Sequence, residues 1–166
     1  MAERIEVYEP EAVKRAKQYV TQLGLQVPAD PSVEDRNTEL PWNLSESSQA
    51  DLSQLMTGYS RLKAFARYHH AIASATVRDL AGELKSTVGE DLLVTQGDTV
   101  TIRKAQVMAS PGIKALNRQL LDAQVLEEML KSLLDGYDDK YKVVSREISL
   151  RDNDSWEGGD DKTDWS

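Results

Sequence analysis

The sequence predicts an all-α fold: a long antiparallel helical hairpin or coiled coil, with a small β-hairpin or loop insertion between its two helices. Two stretches carry this prediction, because in each the apolar side chains recur at alternating spacings of three and four residues. One runs from Ser45 or Ser47 to about Val88, and the other from Ser110 to Arg151. Their nearly equal lengths favour pairing with each other. At about 1.5 Å rise per residue, each helix would be on the order of 60 Å long.

Residues 1–44 are predicted to form a short helix and a proline-containing linker. Glu9–Leu23 has Pro10 in a first-turn position and Gly24 just past its end, which is typical of a helix with both boundaries marked. Three further prolines then interrupt the pattern up to about Asn43. We expect Trp42 to dock this linker onto the body of the protein, and the alternative is that it anchors a partner.

Residues 45–151 are predicted to form the helical hairpin domain. The first long helix is expected to be capped by Ser45 or Ser47 and to end before Gly89. Its apolar seam consists of Leu52, Leu55, Tyr59, Leu62, Ala66, His69, Ala73, Thr76 and Leu80. An antiparallel hairpin places residues 61–78 of this helix opposite residues 121–138 of the second.

The second long helix is expected to start at Ser110-Pro111, a cap followed by a first-turn proline. Its seam consists of Ile113, Leu116, Leu120, Ala123, Glu127, Leu130, Leu134, Tyr137, Tyr141, Val144 and Ile148. Four more apolar residues widen the stripe beyond what one partner helix needs: Leu121, Leu126, Met129 and Leu133. The excess predicts homo-oligomerisation.

The insertion between the helices contains the segment Leu92–Arg103, with the sequence LLVTQGDTVTIR. Two runs rich in β-branched residues flank Gln96-Gly97-Asp98, which is typical of a β-hairpin. The alternative is that Ile102–Ala109 is already helical.

Residues 152–166 form an acidic tail without periodicity, which we expect to be disordered. Six acidic residues stand against one lysine there, so most of the net charge of −8 belongs to the tail. The tail resembles the acidic C-terminal tail of single-stranded-DNA-binding proteins, although it ends in Trp-Ser where that family has Pro-Phe. The resemblance implies partner binding through Asp160, Asp161, Asp164 and Trp165, and the alternative is a tail that only aids solubility.

The composition argues against several classes of function. The chain has no cysteine, which excludes thiol catalysis and thiolate metal sites and agrees with a reducing cytoplasm. His69 and His70 are adjacent on a helix, so they diverge by about 100° and cannot chelate one metal ion. We expect no signal peptide, and the sequence contains no membrane-spanning run or catalytic motif. We therefore expect a cytoplasmic, non-enzymatic protein with no cofactor, metal or small-molecule substrate.

The basic residues suggest binding of single-stranded nucleic acid. Arg61, Lys63 and Arg67 interleave with aromatic residues, although they face an acidic part of the second helix and pairing between the helices is the favoured explanation. A second group gathers near the insertion: Arg78, Lys85, Arg103, Lys104, Lys114 and Arg118. A third set lies at the other end of the hairpin: Lys140, Lys142, Arg146 and Arg151. Each set could contact phosphates or could simply be solvated.

Residues 45–151 resemble small helical phage proteins encoded beside recombination genes, including recombination mediators. The shared features are a helix with tyrosines and basic residues (Tyr59 to Tyr68), a variable insertion (residues 89–109) and a long helix ending in an SRE-like turn (Ser145-Arg146-Glu147). The resemblance implies a ring that binds single-stranded DNA and loads a recombinase onto strands coated by a single-stranded-DNA-binding protein. The alternatives are a virion structural or assembly protein forming a ring or collar, and an acidic adaptor that imitates nucleic acid.

Overall fold

The computed structural model describes residues 9–36, 38–97 and 99–157, with residues 154–157 described by their backbone only. The described chain forms five α-helices and one 3₁₀ turn: α1 (Glu11–Gln22), α2 (Val33–Arg36), the 3₁₀ turn Leu44–Glu46, α3 (Gln49–Val94), α4 (Val100–Ala109) and α5 (Pro111–Glu157). None of the described residues is in a β-strand, and the predicted all-α class is confirmed.

Helix α1 begins two residues after the predicted Glu9 and ends one residue before the predicted Leu23. Gly24 adopts a left-handed backbone with φ of 72°, and the amides of Gly24 and Leu25 donate to the carbonyls of Thr21 and Val20. These hydrogen bonds satisfy carbonyls at the C-terminus of the helix. Glycine suits this position because it has no Cβ atom to clash in the left-handed conformation. Pro10 has an extended ψ of 144° and therefore precedes the helix as its N-cap.

Helix α3 starts and ends later than predicted. Ser48 is the cap: its hydroxyl accepts from the Asp51 amide at 3.1 Å, and the Asp51 carboxylate accepts from the Ser48 amide at 3.2 Å. Ser45 lies in the 3₁₀ turn and Ser47 is extended, so neither caps α3. The predicted end before Gly89 is wrong, because Gly89 does not have the positive φ of a C-terminal glycine and the helix continues to Val94.

The predicted β-hairpin over 92–103 is not found among the described residues of that segment. Leu92–Val94 end α3, and Val100–Ile102 begin α4. Thr99 caps α4 by accepting from the Ile102 amide at 3.3 Å. An isolated two-stranded hairpin is marginal, whereas a capped first turn satisfies the same backbone locally. The structure thus agrees with the alternative in which Ile102–Ala109 is helical.

Helix α5 begins at Pro111, as predicted, with Ser110 accepting from the Ile113 amide at 3.4 Å. It extends to Glu157, so the expected loss of structure after Arg151 is wrong for residues 152–157. Extending an existing helix adds one hydrogen bond per residue without a new nucleation cost, and this outweighs the lack of an apolar face. The tail residues proposed to bind a partner, Asp160, Asp161, Asp164 and Trp165, lie outside the described residues.

The described chain forms two compact units. The first comprises residues 9–27 and 68–130, and the second comprises residues 28–67 and 131–157. The first unit buries Val13, Ala73, Thr76, Leu80, Val107 and Ile113. The core of the second consists of Leu52, Tyr59, Leu62 and Val144, with Leu40, Leu44, Tyr137, Tyr141 and Ile148 packed against it. The division of the chain at residues 44 and 151 remains a prediction.

Two predictions about apolar surface have clear outcomes. Trp42 is 95% exposed, so the prediction that it docks the linker is wrong. Leu40 and Leu44 pack against the core of the second unit instead. All four residues predicted to widen the stripe of α5 are exposed: Leu121, Leu126, Met129 and Leu133. Within the described residues, no helix combines the length and apolar character needed to cross a membrane.

Candidate nucleic-acid interface

The first unit contains all six basic residues predicted near the insertion. Arg78 and Lys85 lie on α3, Arg103 and Lys104 on α4, and Lys114 and Arg118 on α5; a single compact unit thus brings together residues up to 40 positions apart in the sequence. Arg103 is half-buried and the other five are exposed.

Arg78 and Lys85 share the outer face of α3. Leu80, which is buried, marks the inner face. With about 100° between successive residues, Arg78 lies about 160° and Lys85 about 140° around the helix from Leu80. Both cations therefore point to solvent from the same side of α3, separated by about two turns.

Small side chains surround these two cations on the outer face of α3. The positions on this face between and beside them are Ala71, Ser74, Ala81, Gly82 and Gly89. A Cβ atom added to Gly82 or Gly89 would meet no atom within 4 Å, so the face is open. Arg78 is steadied by a hydrogen bond from its Nη2 to the Ser74 hydroxyl at 3.3 Å. A bulky polymer backbone could approach this face closely.

The acidic residues of this part of α3 lie on another side. Asp79, Glu83 and Glu90 are each displaced by about 100° or more from the direction of Arg78 and Lys85. The outer face from residue 70 to residue 89 is consequently free of carboxylates. Such a face presents positive charge without a competing anion.

The other four of the six predicted basic residues lie on α4 and α5. Arg103 packs against the loop before α4, where a Cβ on Gly97 would come within 2.9 Å of Arg103 Cγ. Lys104 is exposed beside it. Arg118 lies about 160° around α5 from the half-buried Leu120, so it faces solvent. The six residues thus share a unit and lie on three different helices.

In the second unit, two of the three predicted basic residues are engaged within the protein. Arg61 Nη1 lies 3.8 Å from the Asp35 carboxylate. Lys63 pairs with Asp138 and lies over the Tyr141 ring at 5.3 Å from its centroid. These contacts support the interpretation that Arg61 and Lys63 serve packing within the protein. Arg67 is exposed.

Tyr59 and Tyr68, which flank these cations in the sequence, are poorly placed for stacking on bases. Tyr59 is fully buried, and Lys140 lies over its ring at 5.7 Å from the centroid. Burial raises the pKa of the Tyr59 hydroxyl, with a smaller contribution from the charge of Glu39. Tyr68 packs edge-on against His69. The sequence pattern of basic and aromatic residues here therefore belongs largely to the core of the protein.

Asp138 in the second unit forms ion pairs with two lysines. Its carboxylate accepts from Lys142 at 2.6 Å and also pairs with Lys63 on α3. The hydrogen bonds from Lys142 and then Lys63 lower the pKa of Asp138 to about 2, and the same contact raises the pKa of Lys142. The pair with Lys63 joins α3 to α5 inside this unit.

Arg151, which the sequence places among exposed basic residues, instead forms hydrogen bonds that join two distant segments of the chain. Its guanidinium donates to the carbonyls of Ser47 and Leu44, each at 2.7 Å, and of Ser45 at 3.1 Å. Its Nε donates to Glu147 at 2.9 Å, which orients the group. Arg151 thus ties the 3₁₀ turn before α3 to the end of α5. With Lys140 and Lys142 also engaged, only Arg146 of the third basic set stays exposed without such a contact among the described residues.

An open hollow of about 720 Å³ in the second unit is lined largely by polar groups that already serve local structure. Asp35 accepts from the Ser32 amide at 3.2 Å, and Asp51 is held by Ser48, whose hydrogen bonds lower its pKa. Within the described parts of the chain, no group of three or more His, Cys, Asp or Glu could hold a metal ion. His69 contacts Tyr68 with the two rings edge-on.

The outer face of α3 is therefore the strongest candidate site, because it presents two exposed cations and, along α3, no carboxylate. The chain matches no protein-family model, no curated protein and no solved structure.

Proposed function

We propose that the protein is a non-enzymatic, oligomeric accessory protein of DNA transactions that binds single-stranded DNA, a recombination partner, or both. Its nearest functional model is the phage recombination mediator, acting in the host cytoplasm through a long antiparallel helical hairpin. The observation that carries the proposal is the carboxylate-free outer face of α3, with Arg78 and Lys85 among small residues.

The physical basis of binding is contact with phosphates. Arg and Lys side chains neutralise phosphates and release counterions, so affinity falls steeply with salt. The outer face of α3 has no aromatic side chain directed outward beside Arg78 and Lys85, so the expected binding is insensitive to base sequence. Two phosphate contacts per subunit are weak alone, and an oligomer would add them through multivalency.

Fluorescence anisotropy with a labelled single-stranded oligonucleotide tests the proposal at 20 and 200 mM NaCl. The variant Arg78→Gln/Lys85→Gln should bind at least tenfold more weakly at low salt. Its slope of log K against log salt should fall by about 1.4, because each single-strand phosphate contact contributes about 0.7. The matched control is Lys131→Gln/Arg146→Gln, which removes the same charge from exposed positions of α5 in the second unit.

Two results would overturn DNA binding through this face. One is the absence of binding at 20 mM NaCl by both the full chain and a chain lacking residues 158–166. The other is an equal loss of affinity in the control variant, which would show a general charge effect. Tighter binding after removal of residues 158–166 would identify the tail as a competitor for the basic surface.

The second candidate function is a virion structural or assembly protein that forms a ring or collar. The exposed apolar residues of α5 favour it, because they suit self-assembly. A protein that assembles and yet binds no DNA at low salt would support this function over the first.

A further inference from the structure

An exposed apolar stripe runs along the part of α5 that belongs to the first unit. Leu121, Val125, Leu126 and Met129 are 64%, 51%, 39% and 61% exposed. Around the helix these positions span about 140° on one side. Leu120, Ala123 and Leu130 on the opposite side are half-buried and supply the contacts that hold α5 to its own unit. This part of α5 therefore has two apolar faces, and none of the described residues covers the outer one.

We propose that this stripe (Leu121, Val125, Leu126 and Met129) pairs with the same stripe of a second copy of the chain. The two copies of α5 run antiparallel, with a two-fold axis near Val125. The proposal deepens the oligomeric part of the proposed function and rests on it, but it does not depend on DNA binding.

The charges that flank the stripe determine the orientation. Lys114 and Arg118 precede it, Asp122 lies within its first turn, and Glu128 lies towards its other end; all four are exposed. With the axis at Val125, Arg118 of one copy comes within about one helical turn of Glu128 of the other. In a parallel pair in register, Arg118, Asp122 and Glu128 would each face the same residue of the other copy, and like charges in register are unfavourable. Of these three residues, only Asp122 and Glu128 oppose a like charge in the antiparallel pair, so the antiparallel pair is preferred.

The shape of the surface favours a second copy over a different partner. A two-fold interface uses the same patch on both subunits, and reversing the stripe brings the cations that precede it towards the carboxylate near its other end. About nine residues of one helix bury less area than a standard interface, so we expect a weak, concentration-dependent dimer. Additional contacts would be needed to extend such a dimer into a ring.

The absence of cysteine in the chain allows a sharp test, because any introduced cysteine is unique. In the proposed pair, Val125→Cys brings two thiols together at the axis and should form a disulfide-linked dimer under mild oxidation. Ala115→Cys should not, because two copies of residue 115 would be separated by about 30 Å along the antiparallel helices. Gln124→Cys is the matched control, since it is exposed and next to Val125 but lies about 100° around the helix.

Sedimentation velocity of the full chain without DNA supplies a second readout. Leu121→Glu/Met129→Glu should sediment as a monomer at concentrations where the unmodified chain dimerises. Leu93→Glu, at a residue 85% exposed near the end of α3, should leave the dimer intact. Circular dichroism should show that both variants keep their helix content.

Four outcomes would overturn the proposal. Equal cross-linking of Val125→Cys and Ala115→Cys would indicate a parallel pair. Cross-linking of Val125→Cys no greater than that of Gln124→Cys, or a monomeric unmodified chain at 100 µM, would exclude the stripe as a self-interface. Dimerisation that appears only after deletion of residues 1–8 would show that the N-terminal segment covers the stripe. Because no DNA is present, none of these outcomes tests DNA binding.

Discussion

Replacing Arg151 by alanine should loosen the start of α3 from the end of α5. The guanidinium donates to three backbone carbonyls of residues 44–47, which lie 104–107 positions away in the sequence. Among the described residues, the only other contact between the 3₁₀ turn and a distant part of the sequence is the apolar packing of Leu44 against the core of the second unit. Arg151 is therefore the main polar link between these two segments.

The size of the effect follows from the number and setting of these hydrogen bonds. A hydrogen bond from a charged group contributes about 1.5–3 kcal/mol. The Arg151 side chain is 27% exposed, so water replaces part of what is lost and the three bonds do not add fully. We expect Arg151→Ala to lower the free energy of unfolding by about 2–3 kcal/mol, and the melting temperature by about 5–10 °C. The melting temperature of Arg151→Lys should lie between those of Arg151→Ala and the unmodified chain, because lysine keeps the positive charge but lacks the planar, forked donors of the guanidinium.

Thermal and urea unfolding followed by circular dichroism measure this effect, and amide exchange of residues 44–52 locates it. Arg146→Ala is the matched control, since it removes an exposed arginine from the same helix and should shift the melting temperature by less than 1 °C. The reasoning is refuted if Arg151→Ala and Arg146→Ala melt within 1 °C of each other, or if amide exchange near the 3₁₀ turn is unchanged.

The remaining predictions concern a helical glycine and a carboxylate. Gly89→Ala should raise the free energy of unfolding by about 0.5–1 kcal/mol in urea denaturation, because Gly89 lies inside α3 and its Cβ would enter open space; destabilisation would show that Gly89 ends the helix. Asp138→Asn should lower the melting temperature at pH 6, and the difference from the unmodified chain should shrink as pH falls from about 4 towards 2. The reason is the sign of the shift: a pKa lowered to about 2 in the folded state stabilises the protein above the ordinary value of 3.8, and this contribution is lost as the carboxylate is protonated. A difference that stays constant from pH 6 to pH 2 would contradict this role of Asp138.

Much of the helical architecture could be predicted from the sequence, because helix formation depends on local and periodic features. The apolar spacing located α3 and α5, Ser110-Pro111 marked the start of α5, and Gly24 marked the end of α1. Errors arose where a local signal was overridden. Gly89 resembles a helix end and the segment 92–103 resembles two strands, yet both are largely helical because the backbone is satisfied more readily by continuing or capping a helix.

The basic residues of the candidate site could be recognised in the sequence. The sequence did not show which of them already have partners within the protein. Charge counting singled out Arg78 and Lys85 as candidates for nucleic-acid binding; the structure leaves both exposed, and helical geometry places them on one face. The same counting put Lys63 and Arg151 in similar sets, although both are used inside the protein. A cation looks alike in a sequence whether its partner is a phosphate, a carboxylate or a distant backbone carbonyl.

The sequence by itself determined the helices, their apolar faces and the surplus of apolar residues on α5, because each depends on spacing along one chain segment. Only the tertiary structure decided which cations remain free, that Trp42 is exposed, and that Arg151 fastens a turn more than 100 residues away. Those outcomes depend on which groups meet in space and on how much water each loses, and neither quantity is encoded in local periodicity.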